Sequence, residues 1–198
     1  AHSPGAVDAH LDQHLSAAKD PATGKAAPGT ATSGGRHPLP TRETFAAWLG
    51  SVGFDNRMQA VVYDRQGANY CGRLWWMLKW AGHDKVAVLD GGLQAWQAAG
   101  GAIDRGPQEK VVATNYALAR ELIELVAIET VANRLHHGAS AAQTLIDARG
   151  APRFRGEVEP LDPVAGHIPG ALNRPFTENI GADGKFKPAA QLRAEFDA

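Results

Sequence analysis

Cysteine is nearly absent: Cys71 is the only one in 198 residues. A single thiol excludes an intrachain disulfide framework and fits a reducing compartment, so the cytoplasm is the expected location. Charge of one sign is also missing. Twenty Lys and Arg stand against 21 Asp and Glu, for a net charge of −1. No strong field is expected toward nucleic acid or an anionic membrane. No apolar run is long enough to cross a bilayer. The first residues, AHSPGAVDAH, lack the basic and apolar regions of a signal peptide. The glycine pairs at 91–92 and 100–101 do not form a GxGxxG dinucleotide fingerprint. No arginine follows Cys71 at the spacing of a phosphate-gripping Cys-x5-Arg loop, since Arg73 is only two residues on. What remains is ordinary globular composition, 44% apolar and 21% charged, of a length for one or two domains.

The chain carries nearly the same pentapeptide twice: HSPGA at 2–6 and HIPGA at 167–171. After each comes a polar stretch, a glycine-containing turn, a proline and an amphipathic segment with helical spacing, TRETFAAWLG after Pro40 and AAQLRAEFDA after Pro188. The first copy continues with AVVYD as a short buried strand and GRLWWMLKWAG as a helix closed by Gly82. VAVLDGG follows as a second strand and LQAWQAAGG as a second helix. Strands alternating with helices predict α/β architecture with a parallel sheet. Before the second pentapeptide lie the helical segment IETVANRLHHG and the strand TLIDAR. The chain therefore reads as a tandem duplication. Residues 1–103 form the first domain, 104–124 a mostly polar linker, and 125–198 the second domain. The first copy has no counterpart of TLIDAR, and the second none of AVVYD through LDGG. Both domains are thus expected to be incomplete, with apolar surface of the second poorly covered.

The segments GRHPLP, VVYD, RLWWMLKWAGH, VAVLDGGLQAW, LIDARGAPRFRGEVEP and GHIPGALNRPF together resemble the tandem rhodanese-type sulfurtransferases, which act on thiosulfate or 3-mercaptopyruvate. The resemblance implies two similar α/β domains, each with a central parallel sheet flanked by helices, of which only the C-terminal one is catalytic. It implies a cysteine thiolate in a loop entering a helix, where main-chain N–H groups and the helix dipole favour an anion. It implies a small-molecule sulfur donor and a thiol or cyanide acceptor, with a thioredoxin-like reductant as a further partner. No cofactor, metal, nucleic acid or membrane is implied. Asp64 occupies the cysteine position of the first copy, and a carboxylate cannot form a persulfide. By the Pro40-to-Asp64 spacing, the second copy's cysteine is expected at about position 212.

Arg153 follows the LIDAR strand by a short turn. The resemblance makes it the anchor for a donor carboxylate or sulfonate; a solvated surface arginine is the plainer reading. Asp147 and Arg149, at the strand end, read as an ion pair bracing the loop, which is as much a structural role as a functional one. His167 could carry a proton, but its motif recurs at His2 in the copy without a nucleophile, so a turn role is preferred. Cys71 reads as a small thiol packed against the sheet. His10 with His14, and His136 with His137, lack companions that would complete a metal site. Trp75, Trp76, Trp80 and Trp96 read as core or interface. A non-catalytic rhodanese-like binding module is the alternative to a sulfurtransferase.

Overall fold

The computed structural model of the protein describes residues 1–66, 68, 70–106, 111–136 and 144–197. They divide into two compact units, Ala1–Leu125 and Val126–Ala198.

Unit 1 is built on a parallel strand pair. β1 (Ala60–Val62) and β2 (Val86–Val88) run in register, Ala60 opposite Val86 and Val62 opposite Val88. Parallel strands need a crossover, and α2 (Cys71–Trp80) supplies it. α1 (Arg42–Ser51) precedes β1, and α3 (Gly92–Ala98) follows β2. The hydroxyl of Thr41 caps α1 by accepting from the N–H of Thr44 at 3.1 Å, and Pro40 is buried just before it. Phe45, Ala46 and Leu49 of α1 meet Val62 of β1 and Met77, Leu78 and Ala81 of α2 in one core, joined by Leu15 and Leu39. Trp80 is buried and stacks on Trp76 with ring centroids 5.6 Å apart, while Trp96 stays partly exposed and donates its indole N–H to the carbonyl of Ala102.

Much of the segment expected as a linker lies against unit 1. Thr114 N–H donates to the Gly50 carbonyl at 2.8 Å, and Asn56 exchanges two hydrogen bonds with Ala117. Tyr116 is 5% exposed within the core cluster. Its polar composition conceals this because the docking is carried by main chain, Asn56 and one aromatic ring rather than by an apolar run.

In unit 2, β3 (Ile146–Asp147) pairs in parallel with β4 (Leu172–Asn173). α4 (Ile128–His136) precedes β3, α5 (Ala151–Phe154) follows it, and α6 (Ala189–Phe196) comes after a 3-10 turn at Phe176–Asn179. α5 and the 3-10 turn were not foreseen, being too short to show a period. Among the described residues of unit 2 only Ala171 and Pro175 are buried, and Ile146 and Leu172 are 45% and 61% exposed. Polar ties compensate in part. Glu195 of α6 accepts from Arg174, beside β4, and from Lys187, and these bonds with one from Gln191 hold its carboxyl at about 2.

The repeated pentapeptides form the same turn. Ala6 N–H donates to Ser3 carbonyl at 3.1 Å, and Ala171 N–H to Ile168 carbonyl at 3.0 Å. Gly5 and Gly170 have φ of 69° and 80°. Proline then glycine with positive φ is the central pair of a type II turn.

The entry to α3 is sterically exacting. Gly92 has φ of 59°, and a Cβ there would lie 2.5 Å from the carbonyl oxygen of Asp64. Gly92→Ala is expected to lower the stability of the protein by about 1–3 kcal/mol, read as a shift in the urea midpoint with unchanged slope.

Candidate functional site

The loop after β1 curls around the Asp64 carboxylate. Oδ1 accepts main-chain N–H groups from Gln66 at 2.8 Å and Ala68 at 3.0 Å. Oδ2 accepts from Tyr70 at 2.8 Å and Cys71 at 3.0 Å, the second being the first residue of α2. Ala68 has φ of 61°, the only positive value for a non-glycine among the described residues, and this lets successive N–H groups converge. Burial pushes the Asp64 carboxyl up, but the four N–H donors outweigh it and hold the group below its ordinary range. The loop is thus an anion cradle whose occupant is its own carboxylate. A carboxylate there balances donors that would otherwise be unpaired, and it offers no sulfur chemistry.

Cys71 lies at the rim of that cradle but is 6% exposed. Burial first, then the charge of Asp64 and a hydrogen bond to it, push the thiol up to about 12. A helix start favours a thiolate, yet here the neighbouring carboxylate has already taken that favourable field. The packing role expected for Cys71 accords with this environment.

In unit 2 the sequence-derived site residues come together. The Asp147 carboxylate at the end of β3 accepts from Arg149 Nη2 at 2.7 Å and Nε at 3.1 Å. These bonds hold Asp147 below the usual carboxylate range and raise Arg149. Arg149 also donates to the Gly166 carbonyl at 2.6 Å and pairs with Glu159 at 3.4 Å. One turn on, in α5, Arg153 meets the same Glu159: Nε to Oε2 at 3.1 Å and Nη2 to Oε1 at 2.8 Å. Nη2 of Arg153 also reaches Asp162 Oδ2 at 2.9 Å.

Glu159 joins the two arginines, with a side chain 4% exposed. Burial pushes its carboxyl up, but Arg153 and the main-chain N–H groups of Leu161 and Asp162 bring it below its ordinary value. Sequence reasoning passed over both Glu159 and Asp162. The available signal was a carboxylate-rich run, RGEVEPLDP, directly after the two arginines.

His167 stacks on Phe154 with centroids 3.7 Å apart, and its Nδ1 is 2.7 Å from the Phe154 carbonyl. It braces the turn after α5. His14 stacks on Trp48 and its Nδ1 receives the His10 N–H. Among the described residues no cluster of three His, Cys, Asp or Glu is arranged for a metal, and no helix is long and apolar enough to cross a membrane. His137 lies outside the described residues.

Residues 1–99 match the family model of the rhodanese-like domain. The chain belongs to the rhodanese family. It is 41% identical over 198 residues to the "Probable 3-mercaptopyruvate sulfurtransferase" of Pseudomonas aeruginosa, covering 100% of this chain and 65% of that protein. It is 33% identical over 165 residues to the thiosulfate sulfurtransferase of Bos taurus, covering 81% of this chain and 54% of that one. Among solved structures it is similar to SseA from Escherichia coli, described as a 3-mercaptopyruvate sulfotransferase of "Rhodanese" fold. The TM-score is 0.76 and the identity 32%, over 99% of this chain and 67% of that one. This rhodanese chain thus spans about two thirds, or less, of the length of these relatives.

Two outcomes follow for the unit 1 loop. Asp64→Asn turns an amide toward N–H donors and is expected to cost about 2 kcal/mol. The depressed Asp64 carboxyl contributes stability in full above the ordinary aspartate value of 3.8, and this is lost as pH falls through its lower folded value. The acid limb of wild-type stability is therefore expected to flatten in Asp64→Asn, as measured by urea unfolding between pH 2 and 6. Cys71 is expected to resist iodoacetamide at pH 8 in the folded chain and to react on unfolding, which mass spectrometry reads directly.

Proposed function

We propose that this chain is the scaffold and donor-anchoring part of a sulfurtransferase that uses 3-mercaptopyruvate or thiosulfate. One observation carries the reading: all 198 residues, both units included, align at 41% identity with the "Probable 3-mercaptopyruvate sulfurtransferase" of Pseudomonas aeruginosa.

The geometry supports a division of labour. Unit 1 is the nucleophile-free copy, with Asp64 closing its loop. Cys71, the only thiol in the sequence, is buried and held protonated, so it is no nucleophile. The reacting cysteine is then one outside these 198 residues, in a longer protein like the relatives. Unit 2 supplies Arg153, whose planar fork suits a carboxylate or sulfonate, while Asp147, Arg149 and Glu159 brace it.

In the reaction a cysteine thiolate attacks the outer sulfur of thiosulfate, or the thiol sulfur of 3-mercaptopyruvate. A sulfur–sulfur bond forms to the enzyme. The donor's S–S or C–S bond breaks, releasing sulfite or, after protonation, pyruvate. Cyanide or a thiolate then takes the terminal sulfur as thiocyanate or a persulfide, and the cysteine thiolate returns. Neither step needs an external oxidant. A cytoplasmic location and a thioredoxin-like reductant as the thiol acceptor belong to the same reading.

The buried, protonated Cys71 also favours a second reading for residues 1–198 taken alone: a rhodanese-like binding module. Thiocyanate release from each donor with cyanide separates the two. The gene product that carries these residues is expected to turn over and the 198-residue chain to be inactive; a gene product inactive with both donors overturns the transferase reading. In the active protein, Arg153→Gln is expected to raise KM for 3-mercaptopyruvate about tenfold or more, the scale of a lost charge-assisted hydrogen bond, with kcat less affected.

A further inference from the structure

Residues 114–122 form a strap across α1 and α2. The main chain of Thr114 bonds to Gly50, and its hydroxyl donates to the Phe54 carbonyl at 2.7 Å. Ala119 N–H donates to the Ala81 carbonyl at 3.2 Å, and Leu122 N–H to that of Lys79 at 3.1 Å. Arg42 of α1 donates to the Ala119 carbonyl at 2.6 Å and pairs with Glu121 at 3.4 Å. The fit is close: a Cβ on Gly82 would lie 2.7 Å from the Ala119 methyl.

His83 lies under this strap, 2% exposed. Its ring meets Phe54 edge-on with centroids 4.9 Å apart, and meets Tyr116 of the strap at 6.0 Å. Tyr116 in turn stacks on Phe54 at 5.9 Å, so the three rings close on one another. Nε2 of His83 and the hydroxyl of Tyr116 are buried without a hydrogen-bond partner. A neutral imidazole tolerates that surrounding. An imidazolium, with two N–H donors and a full charge, does not. The neighbouring charges do not compensate. Lys79 of α2 and Lys85 oppose a further positive charge, and Arg42 lies on the Tyr116 side. Asp84 is engaged by Lys79, and Asp55 by Arg57.

We propose that His83 and the strap form a proton-sensitive latch: 114–122 docks on a neutral imidazole, and protonation at mildly acidic pH lifts Tyr116 and frees the strap. Burial holds the docked ring below the ordinary histidine value of 6.5; both lysine charges act the same way, and main-chain groups of Lys85 and Met58 act against it. Once Tyr116 lifts, water reaches the ring and the ordinary value returns. The open form therefore takes up the proton more readily. Docking is at full strength above about 6.5 and weakens as pH falls toward the lower docked value. The strap lies just before Val126, where unit 2 begins, so its release lengthens the free connection between the units.

The test is amide hydrogen exchange of the 198-residue chain at pH 7.5, 6.5 and 5.5, corrected for intrinsic exchange and read by mass spectrometry on peptides from 114–122 and from α1. Opening of the strap is expected to rise by up to about tenfold between pH 7.5 and 5.5, the ceiling for one proton. Opening of α1 is expected to change by less than about twofold, as a local event requires. His83→Gln and His83→Phe cannot charge, and both should abolish the rise. Tyr116→Phe, which keeps the ring, and Glu121→Gln, which removes the strap's own carboxylate, should retain it. Strap protection that does not respond to pH, or that falls in step with α1, would overturn the proposal. So would a rise that survives in a folded His83 variant or is lost in Glu121→Gln. Should both His83 variants fail to fold, the wild-type and Glu121→Gln profiles decide by the same criteria.

Discussion

Main-chain N–H groups that converge at the end of a parallel strand have to be given an acceptor. In unit 1 the strand β1 delivers the chain into a tight curl whose donors point inward, and the Asp64 carboxylate is the acceptor. Much else depends on that arrangement. The loop end of β1 must lie close to the start of α3, where Leu93 N–H donates to the Asp64 carbonyl at 3.2 Å, and only glycine at position 92 permits the approach. α2 starts where Cys71 gives its N–H to the carboxylate. Burial, and then the charge already present at Asp64, drive the thiol beside it away from ionisation rather than toward it.

Unit 2 solves the corresponding problem with side chains. Its strands are two residues each and little of it is buried, so hydrophobic burial contributes less there than in unit 1. Asp147, Arg149, Glu159, Arg153 and Asp162 form a chain of ion pairs between the end of β3, α5 and the following loop. Exposed pairs of this kind contribute little each. The nearly buried Glu159 is different, since removing either arginine would leave it short of partners. Arg153 is thereby held in place on one side by Glu159 and on the other by Asp162.

Helices α1, α2, α3, α4 and α6 and the strands β1, β2 and β3 were legible from periodicity and from glycine and proline punctuation. The repeated pentapeptide was legible too, and its two copies form one turn type because Pro then Gly admits little else. α5 was not legible, because four residues carry no period. The packing of 111–122 onto unit 1 was hidden, because a polar composition says nothing about main-chain hydrogen bonds or one buried tyrosine. Arg153 was singled out through the family pattern and Asp147 with Arg149 through their place at the strand end, where the two pair. Glu159 and Asp162 were missed, because carboxylates in a loop look solvated until an arginine is placed beside them.

By itself the sequence determined the α/β class, the repeated pentapeptide, the family and the presence of a carboxylate, Asp64, after the strand, because each is written in residue type and order. Only the tertiary structure decided what the charges do: that four N–H groups close on Asp64, that Cys71 stays protonated, and that Arg153 is shared between one buried and one exposed carboxylate. The physical reason is that burial and distance set the strength of a charge's interactions, and neither is a property of the residue alone.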